Sequence, residues 1–169
     1  MSVVVRYSSV DNKYAVELND DLVQKMISYI RSAGRKETGG IFIGQYSISR
    51  DCAIVKIVTG PPKDSKSGYT WFERGLIGLQ ELINHVWKER QYYLGEWHFH
   101  PYASPSPSGT DIDQMAKIAA SRRYNCPEPI LLIIGGNPKE FKIRVFVVMS
   151  KSKIVEIKER VDNTAKIEV

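Results

Sequence analysis

A chain of 169 residues, 43% apolar and 25% charged, is long enough to bury a core without disulfide or metal staples, so a single domain over residues 1–169 is expected. Cys52 and Cys126 form no C-x-x-C pair, which excludes a disulfide framework and a thiolate metal site and suits the reducing cytoplasm. No apolar run of about 18 residues and no secretory pattern in Met1 to Val10 argues for a membrane, and the basic residues behind the +5 charge are too scattered to favour a nucleic acid.

Asp20 and Asp21 precede Leu22, Val23, Met26, Ile27 and Ile30 at helical spacing, with Gly34 as the stop, so a first helix is predicted over about residues 20–33. Ile41 to Ile43 and Ile54 to Val58 are β-branched runs that predict a hairpin. The run Gly60 to Thr70 is rich in Gly, Pro, Ser and Lys and reads as an exposed loop. A second helix carries Leu76, Leu79, Leu82, Ile83, Val86 and Trp87, and the strand Tyr93 to His100 follows it in a βαβ-like order. A proline-stiffened loop, Tyr102 to Gly109, leads into a third helix from about Thr110 that Cys126 to Pro129 would end. Strands over residues 130–134, 143–149 and 154–157 complete an α/β (α+β) chain with no internal repeat.

Residues two apart on a strand share a face, so His98 and His100 present two imidazoles together while Trp97 and Phe99 point the other way. Asp111, at the first turn of the third helix, offers a third ligand. Two histidines and a carboxylate leave a fourth tetrahedral position for water, the arrangement of a catalytic Zn2+, which would bring that water's pKa from about 15.7 toward about 7. Glu37, entering a strand beside Thr38, Gly39 and Gly40, is the candidate proton carrier. Without the metal triad it would read as a solvated charge. Ser108 is open to two readings, a donor to the oxyanion of a reacting carbonyl or the cap of the third helix.

Glu37, His98-x-His100-Pro101 and, after six residues, Ser108-x-x-Asp111 resemble the JAMM motif of the JAB/MPN metalloprotease family. That resemblance implies a cytidine-deaminase-like fold, a curved mixed β-sheet flanked by helices. It also implies hydrolysis of peptide or isopeptide bonds after the tail of a ubiquitin-like protein, with His98, His100 and Asp111 on zinc, Glu37 moving the proton and Ser108 steadying the tetrahedral intermediate. Thr59 to Pro62, Phe72 to Gly75, Gly95 to Pro101 and Cys126 to Pro129 are similar to bacterial proteins of the Mov34/MPN/PAD-1 type found in CBASS antiphage operons. There a JAB enzyme opposes an E1/E2-like machinery that conjugates a nucleotide cyclase, so the implied substrate is a protein with an extended C-terminal tail. A processing peptidase for a ubiquitin-like or sulfur-carrier precursor and a non-catalytic MPN scaffold are the alternatives.

Glu96 departs from the motif of many relatives. It shares the histidines' strand face and either competes for the metal, supports a ligand or lies at the surface. Residues 60–74 are the expected tail-recognition segment, with Tyr69, Trp71 and Phe72 as apolar contacts unless core packing claims them. His85 has no partner at metal spacing and reads as a structural or surface residue, and both cysteines read as small buried hydrophobes.

Overall fold

The structure is a computed structural model and describes residues 2–161. In chain order its elements are β1 (Val4–Ser8), β2 (Ala15–Asn19), α1 (Asp20–Ala33), β3 (Thr38–Tyr46), β4 (Cys52–Val58), β5 (Lys66–Ser67), β6 (Phe72–Glu73), α2 (Leu79–Trp87), β7 (Tyr92–Pro101), α3 (Gly109–Ala120), β8 (Ile130–Gly136), β9 (Phe141–Val148) and β10 (Ile154–Glu159). Eight strands form one mixed sheet in the order β1-β10-β9-β8-β7-β3-β4-β2, and β1 pairs with β2 to close it into a barrel. β5 and β6 make a separate small ladder.

The centre of the sheet is buried on both faces, which is why β8 carries the unbroken apolar run Ile130–Ile134 and β3 the run Ile41–Ile43. On one side Met26, Ile27 and Ile30 of α1 pack with Phe42, Val58, Trp97, Phe99, Leu132 and Ile134. On the other, Leu79 and Val86 of α2 and Met115 of α3 pack with Ile41, Ile43, Tyr93, Leu131 and Ile133. Burying a large aliphatic or aromatic side chain stabilises by about 1.5–3 kcal/mol, so strands sandwiched in this way make a rigid platform for whatever their ends carry.

α1 has the predicted bounds. Asn19 caps it, its side chain accepting from the Asp21 N–H at 2.9 Å, and it ends at Gly34 with φ of 67°. The β3–β4 hairpin is present, with a register shift between Ile43 and Gly44. β4 and β7 run parallel as a βαβ order requires, but β3 lies between them; neighbouring parallel strands occur in β7–α3–β8. α2 begins three residues later than the first apolar residue of its stripe, and Leu76 and Ile77 are left exposed. α3 stops at Ala120, well before the Cys126–Pro129 run expected to end it. Within the expected loop of residues 60–74, the β5–β6 ladder is an added feature, and β1 and β2 add a hairpin that the apolar pattern did not reveal.

Candidate active site

β7 carries the site. Trp97 and Phe99 enter the α1 side of the sheet, where Trp97 Nε1 donates to the Thr59 carbonyl oxygen at 2.9 Å, and His98 and His100 emerge on the opposite side. β3 lies antiparallel with Gly39 opposite His98. A Cβ on Gly39 would collide with the Trp97 carbonyl oxygen, Phe72 and His98, so glycine is what lets β3 lie this close to the histidine. A Cβ on Gly135 would likewise strike the backbone at Ala103 and Pro105, so the loop before α3 folds tightly over the end of β8 and delivers Ser108 and Asp111.

Ser108 is the cap of α3. Its Oγ accepts from the Asp111 N–H at 3.0 Å, and its own N–H donates to Asp111 Oδ2 at 2.8 Å, a reciprocal capping box. The two readings of Ser108 are compatible, because accepting at Oγ leaves the hydroxyl hydrogen free to donate elsewhere. The cap also aims Asp111. Oδ1 lies 3.0 Å from His98 Nδ1 and Oδ2 lies 3.3 Å from His100 Nε2, and the ligand atoms of the three residues all lie within 4.8 Å of one another. Atoms held about 2.0–2.1 Å from a tetrahedral ion sit about 3.3 Å apart. The donor set and its spacing therefore fit a divalent metal.

All three side chains are buried. Burial opposes the charge on Asp111, but the His100 and His98 rings and the Ser108 N–H outweigh it and hold the carboxyl far below its usual range. Burial also opposes a charged His98; Asp111 and Glu96 outweigh it and push the imidazole up to about 9. Glu37 sits where β3 begins, and its N–H donates to the Gly68 carbonyl at 2.9 Å. Burial raises its carboxyl above the usual range, His100 and His98 lower it, and Asp111 raises it, so the group stands within electrostatic reach of the whole triad.

Other sequence expectations divide. Tyr69 and Trp71 are exposed, whereas Phe72 is buried and meets the His98 ring edge-on with centroids 5.6 Å apart. His85 is exposed, and Cys52 and Cys126 are buried and free. Glu96 is not at the surface: it is 3% exposed. Its Oε1 accepts from Arg74 Nε at 2.6 Å and from the Tyr93 hydroxyl at 3.1 Å. That Arg74 and Tyr93 hold Glu96 went unnoticed in the sequence, since the pairing depends on a break in the β7 alternation at Leu94 and on a loop that folds back.

Residues 19–148 match the family described as prokaryotic homologs of the JAB domain. A protein of Enterobacter hormaechei named CD-NTase/cGAS isopeptidase is 44% identical over 134 residues, covering 79% of this chain and 74% of that one. One of the same name from Pseudomonas aeruginosa is 26% identical, covering 81% and 87%. A probable metalloprotease of Sinorhizobium fredii is 27% identical, covering 76% and 80%. The solution structure of a Desulfitobacterium hafniense protein matches the fold at a TM-score of 0.59 and 20% identity, over 80% of this chain and 85% of that one. With a family match over residues 19–148, the chain belongs to the prokaryotic JAB-domain family.

Proposed function

We propose that this chain is a zinc metallopeptidase of the JAMM type, an isopeptidase that frees the C-terminal tail of a conjugated protein from its target, the conjugated protein being a nucleotidyltransferase of the CD-NTase/cGAS class. The names of its relatives in Enterobacter and Pseudomonas support the substrate, and that of the Sinorhizobium relative supports the metal. The observation that carries the reading is the cluster of His98, His100 and Asp111 with the Glu37 carboxyl within its electrostatic reach. Two nitrogen donors and one oxygen donor, all within 4.8 Å of one another, suit zinc with a position left open. When bound, zinc supplies a Lewis acid that lowers the pKa of a water from about 15.7 to about 7.

Glu37 takes the proton of the attacking water and returns it to the leaving amine, the role that a carboxylate free of the metal can fill. Burial raises its pKa, the direction that favours accepting a proton. Ser108 donates its free hydroxyl hydrogen to the oxygen of the scissile carbonyl as negative charge gathers there. The tail lies extended along residues 60–74, where Tyr69 and Trp71 offer exposed apolar surface. An E1/E2-like pair in the cytoplasm makes the conjugate, and the free, buried Cys52 and Cys126 accord with that compartment.

The test is incubation of the zinc-loaded protein with a cyclase conjugated through its C-terminus and, in parallel, with ubiquitin-like precursors. Release of intact cyclase is expected. Cleavage of the precursors alone would transfer the reading to a processing peptidase, and cleavage of neither would sink the protease reading.

A further inference from the structure

We propose that Glu96, clamped by Arg74 and Tyr93, is the positioning carboxylate of His98: it takes the Nε2 hydrogen and so fixes the imidazole with Nδ1 toward the metal. This rests on the reading of His98, His100 and Asp111 as the zinc site.

His98 Nε2 is buried and has no hydrogen-bond partner within bonding geometry. Glu96 Oε2 stands 3.5 Å from it, just beyond a good bond. The other carboxylate oxygen, Oε1, already accepts from Arg74 Nε at 2.6 Å and the Tyr93 hydroxyl at 3.1 Å. Among the described residues no hydrogen bond reaches Oε2, so the two groups still lacking a partner face one another. The opposite ring atom, His98 Nδ1, lies 3.0 Å from Asp111 Oδ1. Without a metal this contact is a hydrogen bond that Nδ1–H donates to the carboxylate; a metal held by Asp111 would take the place of that hydrogen on Nδ1, leaving the ring hydrogen on Nε2, where Glu96 would receive it. Metal-bound histidines commonly hand their second N–H to a carboxylate, which sets the tautomer and the ring orientation.

Glu96 is itself immobilised. Arg74 uses its whole fork, Nε to Glu96, Nη1 to the Gly75 carbonyl at 2.9 Å and Nη2 to the Tyr124 hydroxyl at 2.8 Å. The Arg74–Glu96 pair is buried, with 8% and 4% of the two side chains exposed. A buried pair is weak evidence for stability on its own, but one whose free oxygen faces a metal ligand has an evident use. Arg74 immediately follows β6, whose Phe72 packs on the same histidine ring. The segment thus holds His98 through Phe72 against its ring and, through Glu96, at its far nitrogen.

The experiment measures zinc affinity by chelator competition for the wild type, Glu96→Gln and Arg74→Lys. Melting of each metal-free protein reports folding, and the ring-nitrogen NMR pattern of His98 in the zinc-loaded wild type gives its tautomer. The expected tautomer carries hydrogen on Nε2. Glu96→Gln should weaken zinc about 10–100-fold, and Arg74→Lys should weaken it less, because an ammonium replaces the rigid fork. A wild type with hydrogen on Nδ1, or a folded Glu96→Gln protein with wild-type affinity, overturns the proposal. Should Glu96→Gln fail to fold, the wild-type tautomer decides. A wild type that binds no zinc at all overturns the metal-site reading along with this one, whereas zinc binding with the opposite tautomer overturns this one alone.

Discussion

Tyr93 and Glu96 project from the same face of β7 although three residues separate them. A regular strand would place residues three apart on opposite faces. The pairing register with β3 steps from Gly95 to Tyr93, so Leu94 is an extra residue, and Gly95 has φ of 154°. This bulge turns Leu94 into the core on the α1 side and leaves Tyr93 on the α2 side. The Tyr93 hydroxyl reaches Glu96 only because of it, and the same device sets where His98 and His100 emerge.

Glu37→Gln should retain stoichiometric zinc and lose activity by about 10²–10⁴-fold, the range for removal of a general base. Bound zinc by atomic spectrometry together with conjugate cleavage checks it. Loss of zinc in this variant would move Glu37 from proton carrier to ligand.

Asp111→Ala removes a metal donor and one half of the capping box at once. Zinc should be lost, and the metal-free protein should also be destabilised, because Asp111 both accepts from the Ser108 N–H and pairs with His98 and His100. Chemical denaturation under chelator isolates this second effect, and an unchanged midpoint would show both the cap and the histidine pairs to be energetically idle.

Ser108→Ala should lower stability through the cap by about 1 kcal/mol and kcat by about 10²–10³-fold through the lost carbonyl donor. Ser108→Thr should recover both. A variant that loses stability alone would leave Ser108 with capping as its whole role.

The metal-free protein should lose stability in alkali. His98 is pushed up to about 9 in the fold from an ordinary value of about 6.5. A raised folded pKa means that the stabilisation is fully present below about 6.5 and disappears as pH rises through about 9. Zinc needs the neutral ring, so its affinity should climb over the same interval. Melting and chelator competition across this range test both trends; His98→Gln should flatten the first, and a slope that survives it would refute the assignment to His98.

Gly39→Ala should cost about 1–3 kcal/mol, the usual range for overpacking. The added methyl meets the Trp97 backbone, Phe72 and His98, so zinc affinity should fall with stability. Wild-type affinity in this variant would show that β3 can yield without disturbing the histidine.

What could be read in the sequence followed how local each signal is. Asn19 through Gly34 states both ends and the buried stripe of α1 within one short stretch. His98 and His100 needed only the two-residue period of a strand, and Ser108 and Asp111 only the first turn of a helix. β1 was silent because Val4 is exposed and the strand is five residues long, too short to show a period. Phe72 could not be told from Trp71 beside it, since only the fold decides which of two adjacent aromatics turns toward His98. Arg74 and Glu96 are 22 positions apart, and nothing short of the folded loop brings them together.

The double duty of Asp111 restricts which residues this position can tolerate. A cysteine would hold zinc well, but a single sulfur could not serve two imidazoles and the Ser108 N–H together. Histidine would offer at most one acceptor nitrogen, and glutamate would carry its oxygens a methylene too far to close the same ring with the serine. Any metal held at Asp111 would therefore receive an oxygen donor imposed by the start of a helix, and would be a harder, more electron-poor centre than a sulfur-bound one.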